Sequence, residues 1–234
     1  MPEHSFRKVF ASLESAVPPV PGHLKPRKTP VQSRSGATVE AIHEAVVQVL
    51  LTEGLARLTT TRVAERAGVS VGTLYQYFPN KQALLFTILL QHFVEMAEVI
   101  EKVSRDRAPR PLADLADGLA DAYFSVKLAR PEVTTALYRI AGAIDQVRLP
   151  PDVFKRLETA VTQALKHASD ATFHDPERAA FTLLSALAGV ARAGFSRPVS
   201  DPAFLRRLHR EGRLLSRAYL RAAADTAADL SATS

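Results

Sequence analysis

The chain contains no cysteine in its 234 residues, which removes disulfides, thiolate metal sites and a cysteine nucleophile together. Glycine is sparse, ten in all, and no two glycines stand two positions apart, so a dinucleotide-binding fingerprint is absent. A Walker-type loop, a Gly-x-Ser-x-Gly elbow and a His-Glu-x-x-His helix are missing as well. The nearest approaches to a catalytic or metal cluster are His43-Glu44, on an expected helix, and His167 with His174, across an expected helix end. With no nucleophile, base and orienter set, neither catalysis nor a metal or cofactor is expected. Long hydrophobic runs are also lacking. The longest, Ala179 to Ala191, falls short of the ~20 residues a membrane span needs. The N-terminal "MPEHSFRKVFASLE" breaks its apolar residues with charge, unlike a signal peptide, so the expectation is a cytoplasmic protein without a membrane partner.

What is present is apolar residues at 47% and a net charge of +6, enough for a sizeable core and compatible with polyanionic partners. The charge is unevenly placed. Residues 1–36 carry four of the six net charges, through Arg7, Lys8, Lys25, Arg27, Lys28 and Arg34 against Glu3 and Glu14. Five prolines between Pro18 and Pro30 favour an extended, flexible arm there, preceded by a marginal amphipathic helix in "SFRKVFASLESAV".

Helical periodicity begins near Thr38 with Val39, Ile42, Val46, Val49 and Leu50, and Gly54 stands where a helix would be capped. Thr59, Thr60 and Thr61 precede "RVAERAG"; Thr59 is a natural N-cap, Val63, Ala64 and Ala67 give the inward face and Gly68 is the stop. A tight turn leads to the short segment "SVGTLYQYF". A long helix follows through Leu84, Leu85, Ile88, Leu89, Phe93, Met96, Ile100 and Val103. Beyond Pro111 every periodic segment is helical and punctuated by proline, often behind aspartate. The fold class is all-α: three small helices, a long connecting one and about five more. The expected divisions are an arm over 1–36, a first domain over 37–86, a helical domain over 87–226 and a flexible tail over 227–234.

Two short helices joined by a glycine-containing turn make a helix-turn-helix, whose second helix enters the DNA major groove. Leu74 and Phe78, four apart, share the face that packs inward. Val71, Gly72, Thr73, Tyr75, Gln76 and Tyr77 lie off that face, and two exposed tyrosines on so short a helix suggest a contact surface. Gly72 lets a backbone approach closely. Helix N-termini at Thr59 to Thr61, at Ser70 and at Asn80 are potential anion sites. Lys81, in the first turn of the long helix, opposes the dipole unless an anion such as phosphate compensates; the bland alternative is a tolerated surface lysine.

The stretch "TTTRVAERAGVSVGTLYQYFPNKQALL" closely resembles the DNA-binding domain of the TetR (tetracycline repressor) family of transcriptional regulators. The resemblance covers about residues 38–86, and the all-helical remainder looks like that family's ligand-binding and dimerisation domain. It implies a homodimer on a pseudo-palindromic operator, relieved by a small-molecule effector. An architectural DNA-binding protein without an inducer is the alternative. Thr73 and Tyr75 look like phosphate contacts, Val71, Gln76 and Tyr77 groove-facing positions, and Lys81 a phosphate contact; Thr60, Thr61 and Ser70 join them at the helix starts. Residues 37–86 nevertheless hold four cations, Arg57, Arg62, Arg66 and Lys81, against four glutamates. Thr61 stands where the family often has a base-reading arginine. Affinity must draw on helix ends, local cations and the arm, where Lys25, Arg27, Lys28 and Arg34 would follow phosphates or minor groove; a solubilising tail is the alternative.

In the C-terminal half, "PERAAFTLLSALAGVARAGF" is apolar over a wide arc and needs cover on two sides. Phe181, Leu184, Ser185, Ala188 and Gly189 on this helix, with Leu208, Leu215 and Tyr219 on the last, are the expected dimer interface. Arg206, Arg210, Arg213, Arg217 and Arg221 read as a solvated stripe on the last helix. Candidate effector-lining residues are Phe93, Met96, Tyr123, Phe124, Tyr138 and Phe154, with His92, Arg139 and Gln163 as polar anchors. For each of these, core packing or plain exposure is the competing reading.

Overall fold

The computed structural model describes residues 21–27, 33–143, 151–196 and 201–224. Among them there is no strand, and nine α-helices run as α1 Ser33–Thr52, α2 Thr60–Ala67, α3 Val71–Tyr77, α4 Lys81–Arg105, α5 Leu112–Ala129, α6 Pro131–Ala143, α7 Pro151–Leu165, α8 Pro176–Phe195 and α9 Pro202–Ala223. The proline punctuation acts as the sequence suggests in α8 and α9. Asp175 and Asp201 cap them, accepting from the amides of Arg178 (2.9 Å) and Ala203 (2.8 Å), with proline in the first turn. Pro111 instead stands one position before α5, and the Leu112 amide is taken by Asp170 Oδ1 at 2.7 Å. Lys28, and the tail over 227–234, lie outside the described residues.

The chain packs as two compact units: residues to Glu95 with 132–153, and 96–131 with 154–234. The division therefore falls inside α4, past the boundary read at residue 86. In the first unit Val39, Ile42, Val46 and Val49 of α1, Val63 and Ala64 of α2, Leu74 and Phe78, and Leu84 and Ile88 of α4 form one buried cluster. α1 starts at Ser33, earlier than the periodicity near Thr38 implies. Part of the expected arm is also held in place: Leu24, in a 3-10 turn over Gly22–Leu24, is only 2% exposed among Phe86, Leu90, Val94 and Val153. A lone leucine in a Pro- and Lys-rich stretch has no periodicity to reveal such a contact.

One polar group crosses the first unit's core. His43 of α1 is buried, donates from Nδ1 to Gln91 Oε1 at 2.8 Å and lies 5.6 Å, ring to ring, from Phe78. Gln91 in turn donates to Glu95 at 3.0 Å. Burial lowers the His43 pKa to about 4 despite the opposing hydrogen bond, so the neutral imidazole is the native form.

The second unit is built on α5, α8 and α9. The buried line of α9 is Leu208, Gly212, Ser216 and Leu220, a four-residue stride that takes Leu208 of the expected interface inward and leaves Leu215 and Tyr219 at its edge. Gly212 is required by packing, because a Cβ there would stand 2.2 Å from the Phe124 ring. The arginine stripe is only partly solvated. Arg213 and Arg217 both hydrogen-bond Asp117 of α5, Arg217 Nε at 2.6 Å, and His209 meets Asp121 at 2.7 Å. Burial pushes the Asp117 pKa up, but the two guanidiniums outweigh it and hold the carboxyl below its usual range. A charge stripe read from one helix cannot disclose the carboxylates facing it from another.

α4 is long and apolar enough to cross a membrane by length and composition, although 67% of its apolar window is buried inside the chain. That burial is what a core helix of a globular unit shows.

Candidate nucleic-acid interface

The short helix α3 has seven residues, too few to hold together alone. Its termini are closed locally: Ser70 Oγ accepts from the Thr73 amide at 2.9 Å, and the Phe78 amide donates to Leu74 O at 2.9 Å. Tertiary anchoring does the rest, because Leu74 and Phe78 are completely buried in the first unit's cluster. The preceding α2 is capped by Thr59, which accepts from the Arg62 amide at 3.3 Å, and ends at Gly68 with φ 68°. Only glycine adopts that left-handed conformation without strain, and it lets the chain reverse into α3.

With Leu74 and Phe78 inward, α3 presents Gly72, Tyr75 and Gln76 outward and leaves Val71, Thr73 and Tyr77 half-buried. Tyr75 is 38% exposed and its hydroxyl meets Thr60 Oγ1 at 3.1 Å. The ring is thereby pinned across the start of α2, so Thr60 and Tyr75 act as one surface element. Thr61 is exposed beside them, and Ser70 and Thr73 join hydroxyl to hydroxyl at 2.8 Å. A Cβ on Gly72 would meet only Ser70 Oγ, at an ordinary 3.7 Å. Internal packing therefore does not demand this glycine, and access from outside remains its physical use.

Most cations of this surface are engaged within the chain. Arg62 pairs with Glu53, which Arg66 also approaches at 3.9 Å. Lys81, half-buried, donates to the Leu55 carbonyl at 3.1 Å; this bond offsets its unfavourable place in the first turn of α4 without needing an external anion. Asn80 caps α4, accepting from the Ala83 amide at 2.7 Å, and donates from Nδ2 to His23 O at 2.7 Å. The Arg27 amide donates to Tyr77 O at 2.8 Å. The helix start at Asn80 was read from the sequence; its bond to His23 and the buried Leu24 beside it were not. Arg34 falls within α1, though its side chain lies outside the described residues.

The other residues singled out from sequence divide by exposure. Met96, Tyr123 and Phe124 are buried, His92, Phe93 and Tyr138 half-buried, and Phe154 and Gln163 exposed. The Arg139 side chain lies outside the described residues. Phe93 packs with the Leu24 cluster and Phe124 against Gly212, so both are spent on core. Lys127, not singled out from sequence, is buried with its ammonium 4.9 Å over the Tyr123 ring, and burial lowers its pKa to about 8. On α8, Phe181 is 58% exposed, Ser185, Ala188 and Gly189 are exposed and Leu184 is half-buried. Leu208 belongs to the chain's own core, its side chain 2.6 Å from where a Gly194 Cβ would lie. Leu215 and Tyr219 are half-buried, and Leu214, passed over in the sequence, is the most exposed large apolar residue of α9 at 61%.

Residues 42–88 match the family described as bacterial regulatory proteins, tetR family, and residues 111–220 match the tetracyclin repressor-like C-terminal domain. Among curated proteins, the HTH-type transcriptional regulator YvkB of Bacillus subtilis is 35% identical over 69 residues, 30% of this chain and 36% of that one. The nucleoid occlusion factor SlmA of Vibrio campbellii is 31% identical over 137 residues, 54% of this chain and 66% of SlmA. The matches thus span about a third and just under two thirds of those relatives. Among solved structures, a TetR-family regulator from Mesorhizobium loti superposes with a TM-score of 0.65 at 18% identity, over 83% of this chain and all of that one. SmeT, repressor of a Stenotrophomonas maltophilia efflux pump, gives 0.61 at 23%, over 82% and 94%. Family patterns on both halves, the helix-turn-helix of α2 and α3 and the all-helical fold agree: the chain belongs to the TetR family of bacterial transcriptional regulators.

Proposed function

We propose that the chain is a sequence-specific DNA-binding repressor that acts as a homodimer and is released from its operator by a small molecule. The outward face of α3, with Leu74 and Phe78 locked inward, carries the reading. Gln76 and Val71 would address base edges and Tyr77 the groove wall. Thr73 and the Tyr75–Thr60 pair would position phosphates, with Thr61 and Ser70 beside them, while Lys81 is held on the Leu55 carbonyl. One seven-residue helix contacts few bases, so a two-fold dimer that places two such helices on a pseudo-palindrome supplies the missing specificity. The exposed apolar residues of α8 and α9, Phe181 and Leu214 above all, favour a second copy of the chain as their cover. An effector held by the helical half would act by favouring a dimer state whose two α3 helices no longer fit the operator. SmeT, similar in fold, has been solved with triclosan, which makes an apolar, drug-sized ligand the natural first probe.

The likeness to nucleoid occlusion factors supports a second reading, a DNA-binding protein that marks chromosomal sites without an inducer. Fluorescence anisotropy with DNA flanking the protein's own gene separates the two. Release by added triclosan or metabolite extract fits the first reading, whereas retention under every addition, with intact binding, fits the second.

A further inference from the structure

The segment before α1 is built into the surface that α3 belongs to. Three contacts fix it. The Leu24 side chain is buried among Phe86, Leu90 and Val94 of α4 and Val153 of α7. The His23 carbonyl accepts from Asn80 in the turn between α3 and α4, and the Arg27 amide donates to the carbonyl of Tyr77, the last residue of α3. A hydrophobic plug and two hydrogen bonds on either side of the α3–α4 turn hold the backbone from 23 to 27 in one course. The two cations on that course, Lys25 and Arg27, are half-buried and exposed, and neither joins an ion pair among the described residues.

The helix-turn-helix itself is short of usable positive charge. Its four cations are matched by four glutamates in residues 37–86. Arg62 and Arg66 share Glu53, and Lys81 is turned onto the Leu55 carbonyl. Affinity for DNA needs cations facing phosphate, because the release of condensed counterions supplies most of the sequence-independent binding free energy. Beside the C-terminal end of α3, Lys25 and Arg27 are the side chains placed to provide it.

We propose that residues 23–27 form a docked strap that is an integral part of the DNA-contacting face. Lys25 and Arg27 bind backbone phosphates next to the groove that α3 enters, and Leu24 sets their position. This rests on α3 being the DNA-reading helix and adds a second, non-reading contact to it. Such contacts strengthen binding to all sequences alike, whereas α3 side chains discriminate among them.

The test uses the full chain, its K25Q/R27Q variant and Q76A, each titrated against an operator fragment and unrelated duplex across a series of salt concentrations. Each lost phosphate contact flattens the slope of log K against log salt by about 0.9. K25Q/R27Q should therefore flatten it by nearly 2, weaken both DNAs by the same factor, roughly tenfold, and leave melting unchanged. Leu24→Ala, read at a temperature where circular dichroism shows a folded chain, should weaken binding with both charges still present. An unchanged slope and affinity in K25Q/R27Q, while Q76A still loses operator preference, would overturn the strap and spare the reading of α3. A wild-type chain without affinity for any duplex would overturn both.

Discussion

α3 and the α8–α9 pair both leave a face uncovered, and the two faces differ in chemistry. On α3 the uncovered groups are a glycine, a glutamine and a tyrosine whose hydroxyl is already tied to Thr60. On α8 and α9 they are a phenylalanine, a leucine and small residues. Polar, hydrogen-bonding tips at close backbone approach suit the edges of base pairs and phosphate oxygens. Large apolar side chains beside small ones suit another helix, where burial of each returns about 1.5–3 kcal/mol. The support differs too: α3 has seven residues and depends on two buried anchors, while α9 has 22 and a continuous buried line. A DNA-facing element can be small if the domain behind it is rigid, but an interface between subunits needs area.

This contrast can be broken at its supports. Leu74→Ala removes a completely buried anchor of α3 and should cost about 2–5 kcal/mol in urea unfolding, as a core truncation does. A variant with unchanged unfolding would mean that α3 is not held as described. The buried His43 beside Phe78 gives the next effect. In the unfolded chain it titrates near 6.5 and in the fold at about 4, so between these values the unfolded state binds more protons. Its contribution is complete above pH 6.5 and is lost as pH falls toward 4, by about 3 kcal/mol. His43→Gln should flatten that part of the stability profile, and a parent and variant with parallel profiles would contradict the buried neutral imidazole.

Phe181→Asp or Leu214→Glu tests the other face. Each should weaken the dimer by about 1.5–3 kcal/mol while leaving the helical content unchanged, shifting the mass measured by light scattering toward the monomer at micromolar concentration. A parent chain that is already monomeric there would remove the two-fold argument. The smallest effect belongs to Gln76→Ala, expected to lose about 1–3 kcal/mol of preference for operator over mismatched sites with stability altered by less than about 0.5 kcal/mol.

The all-helical class, the helix-turn-helix and the inward pair Leu74 and Phe78 were legible because each rests on spacing within one element. Gly68 and Thr59 were legible because caps and left-handed turns accept few residue types. Contacts between distant segments left no such trace. Leu24 and its cluster lie more than 60 positions apart in sequence. Asp117 and its arginines come from different helices, so the stripe on α9 read as solvated when part of it is paired. Leu208, read as part of a subunit interface, lies in the chain's own core and Leu214, passed over, is exposed, because which stretch of an apolar stripe the chain covers itself is set by the helices packed against α9 and not by spacing within it. Lys81 shows a different gap: its position at a helix start was readable, but not that the Leu55 carbonyl is within its reach.

The most direct measurement is selection from random-sequence duplex DNA by the purified full-length chain, repeated with Gln76→Ala. The account predicts recovered sequences that share an inverted repeat, with the Gln76→Ala pool losing the consensus at matched positions of both half-sites. A pool without any shared sequence, or one whose consensus is unchanged in Gln76→Ala, would contradict the assignment of α3 as the reading helix.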